Sequence, residues 1–139
     1  MDQRLINNKL ESLRKCLFRV EQKRPSSPDE LQNNLDLQDI ISVNLERAVQ
    51  LCVDIGAHII SHSEFEAPTS LGETFDILEK MDVLSSHTSL QLKKAVGFRN
   101  IAVHAYQKPD WDIVYYISQE GLNDFKTFAK EIIIYLDNS

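Results

Sequence analysis

Four side chains that can act on phosphate groups occur close together in this sequence: Arg99, Asn100, His104 and Tyr106. An arginine guanidinium stays charged at physiological pH and offers paired donors to phosphate oxygens. A histidine imidazole titrates near neutral pH, so it can accept or donate a proton during a reaction. A fixed cation beside a titratable ring indicates chemistry at a phosphate ester.

The charge distribution sets this segment apart from the rest of the chain. The formal net charge is -6, yet no aspartate or glutamate lies between Asp82 and Asp110. Lys93, Lys94 and Lys108 fall in the same interval and are the predicted phosphate contacts for an RNA substrate. A pI near 5.1 argues against a general nucleic-acid coat, and no DNA partner is expected.

The spacing of these residues restricts how they can meet on a helix. Each residue turns the helix by about 100°, so Arg99 and Tyr106 share a line while Arg99 and His104 point about 140° apart. Two arrangements would bring Arg99 and His104 together. The helix can unwind before His104, which Pro109 favours, or a second subunit can complete the site.

Internal transesterification of RNA matches these side chains. A neutral His104 can take the proton of a ribose 2′-hydroxyl, and a protonated His104 can donate one to the leaving 5′-oxygen. Arg99 can stabilise the charge that develops on the phosphate, and Asn100 can orient the imidazole. The reaction needs two proton-transfer groups and one chain offers one good candidate, so a symmetric dimer is predicted.

The residues alone leave simpler interpretations open. A lone histidine near a helix end often caps the helix, Lys93 and Lys94 can form a solvated face, and Tyr106 can be a half-buried aromatic. His58 and His62 lie four residues apart and could share a metal ion, but no third ligand is evident. No metal and no cofactor are therefore expected.

The hydrophobic pattern predicts an all-α protein: an up-and-down bundle of four or five main helices plus a short one, in a single domain of residues 1–139. Predicted helices cover 3–24, 28–62 with a bend near 34–37, a segment from 69 or 70, a segment from 86–89 to about 105–107, 111–119 and 122–136. Ser27 is the predicted cap of the second helix, and Gly121 is predicted to stop the short one.

Several single positions carry predictions of their own. Gly56 lies inside a helix, which indicates the close approach of a neighbouring helix. Cys16 and Cys52 lie on different helices without a metal-binding pattern, so both are expected to be buried, reduced thiols. Asp54 is predicted to lie at an interface or to support a neighbouring site.

The sequence also suggests where the protein works. No apolar run approaches the length of a membrane span, and the first residues have no signal-peptide core. No membrane partner is expected, and the predicted compartment is the cytoplasm.

The octet 99–106 resembles the Arg-x4-His-x-Tyr signature of the HepT-like branch of the HEPN superfamily (higher eukaryotes and prokaryotes nucleotide-binding). Residues 48–56 resemble the branch's second-helix pattern, an apolar run that ends at a glycine. Residues 106–111 resemble its turn into a short penultimate helix. The resemblance spans nearly the whole chain.

This resemblance implies a small all-helical homodimer whose two motifs face a shared cleft. It implies a metal-independent endoribonuclease that serves as the toxin of a toxin–antitoxin pair, held in check by a minimal nucleotidyltransferase (MntA-like) antitoxin. In some pairs of this branch the antitoxin transfers AMP from ATP onto the motif's tyrosine. Carried over, Arg99 and His104 are catalytic, Asn100 supports them, and Tyr106 is the modification site.

Two other classes of function remain open from the sequence. The chain could be a non-catalytic HEPN module that serves a nucleotidyltransferase as an adaptor or as a nucleotide- or substrate-binding subunit. It could also be a purely structural bundle, in which Arg99 and His104 would tolerate alanine. The negative net charge is unusual for an RNA-cutting enzyme, which keeps the first alternative relevant.

Overall fold

A computed structural model describes residues 1–103 and 110–138, without the side chains of residues 100–103. Within these ranges the chain forms α-helices and one π-helical turn. It forms no strand there, as predicted. The elements are α1 (Gln3–Lys23), α2 (Pro28–Gln32), α3 (Leu35–Ser61), α4 (Leu71–Lys80), α5 (Ser86–Val103), α6 (Trp111–Tyr116), the π-helical turn Ile117–Gly121 and α7 (Leu122–Asp137).

Helix α3 lies at the centre of the bundle and contacts α1, α2, α4, α5 and α7. It runs antiparallel to α1, because the Asp2 amide lies 3.3 Å from His58 Nε2 and Lys9 Nζ lies 3.6 Å from a carboxylate oxygen of Asp54. Helices α5 and α7 complete the bundle, and rings from α4 and α7 fill its core. The largest buried aromatic side chains are Phe75, Phe125 and Phe128. The predicted bundle is confirmed.

Polar side chains define where the helices begin. The Ser27 hydroxyl accepts from the Glu30 amide and Pro28 takes the first position of α2, as predicted. The bend predicted near residues 34–37 is a full break, because the Asn34 side chain starts α3 by accepting from the Leu37 amide. Gln38 stabilises the break, since its amide nitrogen donates to the carbonyls of Leu31 and Gln32.

Gly56 marks the close approach of α4, as predicted. A Cβ atom at this position would lie 2.6 Å from Thr74 Cγ2 and 2.9 Å from Leu78 Cδ1. Both contacts come from α4, so the missing side chain lets α3 and α4 pack closely.

The stop predicted at Gly121 is wrong. Gly121 has helical dihedral angles, φ -66° and ψ -19°, and the chain passes through the π-helical turn directly into α7. A Cβ atom at Gly121 would lie 3.0 Å from Ile117 Cγ2. The glycine therefore makes room for a side chain of the π-helical turn and does not cap a helix.

Leu90 is an apolar residue of α5 that faces away from the core. Helix α5 begins at Ser86, and its buried residues in the first turns are Thr88, Ser89 and Leu92. Leu90 lies on the opposite side and is 48% exposed. Leu90 therefore belongs to an outer apolar surface of α5 and not to the core of this chain.

Both cysteines are buried and unpaired, which confirms the prediction for the thiols. Cys16 lies on α1 and Cys52 on α3. Burial raises the pKa of the Cys52 thiol well above its usual value. Within residues 1–103 and 110–138, every helix is too short or too polar to cross a membrane.

Candidate active site on helix α5

Helix α5 carries Arg99 and is fixed at its N-terminal end by α7. The Ser85 hydroxyl accepts from the Thr88 amide, 3.2 Å away, and begins the helix. Glu131 of α7 accepts from the Ser85 amide at 2.6 Å and from the Thr88 hydroxyl. Ser89 adds a buried bond, since its hydroxyl donates to the Phe75 carbonyl of α4, 3.1 Å away. These bonds set the rotation of α5 and hence the side on which each later residue lies.

Arg99 lies in the last turns of the described part of α5, on the side that also carries Leu92 and Val96. Those two residues pack into the core, and Arg99 is half-buried. None of the described residues forms a salt bridge with its guanidinium. Partly burying a cation without a counter-charge is unfavourable, and this is a common signature of a group that serves a ligand.

The other motif residues fall largely outside the described part of the chain. The backbone of Asn100 belongs to α5, but its side chain is not described. His104, Tyr106 and Lys108 lie outside the described residues, as do the predicted unwinding before His104 and the predicted end of the helix. Their roles therefore remain predictions.

The two lysines of the predicted phosphate-binding surface differ in their surroundings. Lys93 Nζ lies 2.8 Å from Asp76 Oδ1 of α4. The hydrogen bond to Asp76 raises the pKa of the Lys93 ammonium, and the charges of Asp76 and Glu79 add to the effect. Lys94 is exposed and forms no salt bridge within the described residues. Lys94 is thus the lysine of this pair that is free to meet a phosphate.

Carboxylates from other helices approach the segment that lacks them in sequence. Asp76 of α4 pairs with Lys93, and Asp124 of α7 accepts from Gln91 Nε2 at 3.2 Å. Glu131 reaches the start of α5. The sequence gives no direct signal for these contacts, because they depend on how helices pack. The region of positive potential along α5 is therefore smaller than the carboxylate-free segment of the sequence suggests.

An apolar groove of about 340 Å³ lies beside α5, between it, α6 and α7. Gly97 and Lys94 contribute from α5, and Ile113 and Tyr116 contribute from α6. Ile113 is 44% exposed and Tyr116 is 55% exposed. Asp110 fixes this wall, since its carboxylate accepts from the amide of Ile113 and begins α6. Large apolar side chains that face solvent together usually mark a contact surface.

The His58 and His62 rings lie 4.9 Å apart between centroids on α3. His58 Nε2 accepts from the Asp2 amide. The described residues contain no group of three or more histidine, cysteine, aspartate or glutamate side chains placed to hold a metal ion. Asp54 accepts from Gln50 and pairs with Lys9 across the α1–α3 interface.

Residues 6–132 match the family model described as ribonuclease HepT-like. This chain belongs to that family. The match contains α5, α6, most of α7 and every residue of the predicted motif. The resemblance read from the octet at residues 99–106 is confirmed.

Two relatives and a solved structure match this chain over nearly its full length. The chain is 35% identical over 128 residues to the mRNA nuclease HepT of Shewanella oneidensis, covering 92% of this chain and 96% of that protein. It is 25% identical over 132 residues to the tRNA nuclease HepT of Aphanizomenon flos-aquae, covering 95% and 90%. The solved structure of the tri-AMPylated Shewanella oneidensis HEPN toxin in complex with MNT antitoxin superposes with a TM-score of 0.88, at 34% identity and 96% and 99% coverage.

The geometry of this chain adds two observations to the family match. The first is the half-buried guanidinium of Arg99, which has no salt bridge within the described ranges. The second is the exposed apolar face beside it on α5 and α6. The first suits a bound phosphate and the second suits a second subunit.

Proposed function

We propose that this chain is the toxin of a toxin–antitoxin pair, a metal-independent endoribonuclease that cuts RNA with Arg99 and His104 at a dimer cleft. The observation that carries the proposal is Arg99 itself, half-buried on α5 with no salt bridge to a described residue. The nuclease names of the two relatives and the toxin of the solved complex support it.

The proposed reaction is an internal phosphoryl transfer. A neutral His104 takes the proton of a ribose 2′-hydroxyl, and the 2′-oxygen forms a bond to the adjacent phosphorus. The bond from phosphorus to the 5′-oxygen breaks, and a protonated His104, supplied by the second subunit, donates a proton to that oxygen. The products are a 2′,3′-cyclic phosphate and a free 5′-hydroxyl. Arg99 offsets the charge on the phosphate and Asn100 orients the imidazole.

The second subunit is proposed to sit on the outer face of α5. Leu90, Lys94 and Gly97 follow one another at helical spacing on this face, and α6 adds exposed apolar side chains. Apart from its chain neighbours and its own helix backbone, no atom of the described residues lies within 4 Å of a Cβ built at Gly97, so this side of α5 is open to a close approach. A dimer on this face would place the two copies of α5 side by side, with Arg99 on the other side of each helix.

The proposed regulator is a minimal nucleotidyltransferase antitoxin. In its reaction the Tyr106 oxygen would form a bond to the α-phosphorus of ATP, pyrophosphate would leave, and the phenol would lose its proton. The added phosphate would place negative charge near Arg99, which opposes binding of the RNA phosphate. The relative solved as a tri-AMPylated toxin with its MNT antitoxin supports this regulation.

Expression of the chain alone tests the proposed function against the adaptor alternative. A nuclease toxin should stop growth and degrade RNA, and His104→Ala should remove both effects while the protein stays folded. An adaptor for a nucleotidyltransferase should do neither. Normal growth and intact RNA in cells that contain folded wild-type protein would contradict the toxin assignment.

A further inference from the structure

A second groove lies between α1 and α3, which are not the helix that carries Arg99. Its volume is about 450 Å³. The residues that line it recur every three or four positions on the two antiparallel helices, so they form two facing rows. The polar ones that matter here are Lys15, Arg19, Asn44, Arg47, Gln50 and Asp54.

One end of this groove is cationic. Lys15, Arg19 and Arg47 are exposed, and no salt bridge joins them to any residue in the described ranges. At the other end Asp54 is occupied by Lys9 and by Gln50, whose Nε2 donates to it at 2.8 Å. Arg19 and Arg47 both line this groove. Burial raises the pKa of the Cys16 thiol beside them, and the charges of Arg47 and Arg19 partly offset that rise.

Asn44 lines the same groove, and its buried side-chain oxygen has no donor within the described residues. The residue is 4% exposed, and its Nδ2 donates to the Ile40 carbonyl at 2.7 Å. Its Oδ1 is buried and accepts no hydrogen bond from the described residues. A buried acceptor without a donor destabilises a fold, so Asn44 Oδ1 is a candidate acceptor for a donor that enters the groove.

The three cations and the Asn44 oxygen would contact different parts of one ligand. Guanidinium and ammonium groups bind phosphate oxygens, and arginine does so with paired hydrogen bonds. A phosphodiester has no proton to offer Asn44 Oδ1, whereas a ribose hydroxyl or a base amine has one. A nucleotide carries both parts within one small molecule.

We infer that the α1–α3 groove binds a nucleotide unit of RNA, with phosphate on its three cations and a sugar hydroxyl or base amine on Asn44. The choice of RNA as the ligand rests on the proposed function. This site would contact the RNA at a position distant from the scissile phosphate. It would therefore raise the affinity for RNA without taking part in the reaction. It would also explain how a chain of net charge -6 retains RNA, since a local cluster of cations suffices.

Binding of a fluorescein-labelled RNA oligonucleotide, followed by fluorescence anisotropy over a range of salt concentrations, tests the inference. All proteins carry His104→Ala so that the RNA survives. The test variant adds Arg19→Gln and Arg47→Gln. The matched control adds Lys80→Gln and Lys130→Gln, exposed cations of α4 and α7, with the same change in net charge.

The test variant should bind RNA at least about tenfold more weakly at low salt, and its salt slope should fall by about 0.7, the value for one phosphate contact of a single strand. The control should change much less. Asn44→Leu should weaken binding without changing the salt slope, because it removes no charge. Equal affinity of the test and control variants for RNA would overturn the inference.

A free nucleotide is the other source of the same chemistry, and 5′-AMP is the probe for it. If 5′-AMP binds saturably and the two arginine substitutions abolish that binding, the groove takes a mononucleotide. If 5′-AMP does not bind while the arginine substitutions weaken RNA binding, the groove needs a strand. Both results support a nucleotide site.

The outcome is separable from that of the proposed function. A wild-type protein that cleaves RNA, together with a test variant that binds RNA as the control does, contradicts only the groove. A wild-type protein that cleaves no RNA but binds it through Arg19 and Arg47 contradicts only the nuclease assignment.

Discussion

Replacement of Gly56 by alanine is expected to lower the free energy of unfolding, although alanine is the better helix former by about 1 kcal/mol. The new Cβ would lie 2.6 Å from Thr74 Cγ2 and 2.9 Å from Leu78 Cδ1. Thr74 is 1% exposed and Leu78 is fully buried, so neither side chain can swing into solvent. Such overpacking costs about 1–3 kcal/mol.

The net loss should therefore be about 1–2 kcal/mol, because the overpacking at α4 exceeds the gain in helix propensity. Urea denaturation with linear extrapolation measures it. Gly72→Ala is the matched control, since the nearest atom to its Cβ is Lys93 Cγ at 3.9 Å, and it should cause no loss.

A double-mutant cycle with Thr74→Ser sharpens the test. Serine lacks the Cγ2 methyl group, so Gly56→Ala should be less harmful in the Thr74→Ser background than in the wild type. Two results would contradict the close contact between Gly56 and α4. One is a Gly56→Ala protein as stable as the wild type, and the other is a loss of stability from Gly56→Ala that is the same in the Thr74→Ser background.

Three further predictions concern single side chains. Asn44→Leu should raise the free energy of unfolding by about 1 kcal/mol in urea denaturation, because it removes a buried acceptor that lacks a donor; a clear loss would contradict this. Lys93→Met should lower stability near neutral pH, and the difference should vanish as pH rises through the raised pKa of Lys93, because only its protonated form pairs with Asp76; a difference that persists in strong alkali would argue against the pair. Gly97→Glu should leave the fold intact, convert the proposed dimer to monomer in sedimentation and abolish RNA cleavage. Ala57→Glu, on the exposed surface of α3, should change neither the oligomeric state nor the cleavage. An active Gly97→Glu dimer would exclude the outer face of α5 as the interface.

Much of the fold follows from local patterns in the sequence. The three-four spacing of apolar residues predicted α1, α3 and α7, and Ser27 with Pro28 predicted the start of α2. Gly56 was correctly assigned to a close helix contact, because a glycine inside a strongly apolar helix has few other uses.

The errors have physical causes that local patterns do not contain. Gly121 looks like a helix stop, but its dihedral angles are helical and its small size serves Ile117 in a π-helical turn. Leu90 shows a related limit of sequence patterns, because apolar character cannot distinguish the core of one chain from a surface that meets another.

The candidate site was predictable in its residue types and less so in its electrostatics. The cluster around Arg99 could be found from charge and spacing, and family membership confirmed the resemblance. The pairing of Lys93 with Asp76, and the orphaned oxygen of Asn44, depend on side chains from different helices or on burial. Neither could be obtained without the packed structure.

The chemistry of the RNA ends tests the central claim most directly. Purified protein should cleave RNA in the presence of a metal chelator and leave 2′,3′-cyclic phosphate and 5′-hydroxyl ends, and His104→Ala should lower the rate by a factor of about 10²–10⁴. Cleavage that requires a divalent metal, or that leaves 5′-phosphate ends, or that survives in His104→Ala at the wild-type rate, would contradict it.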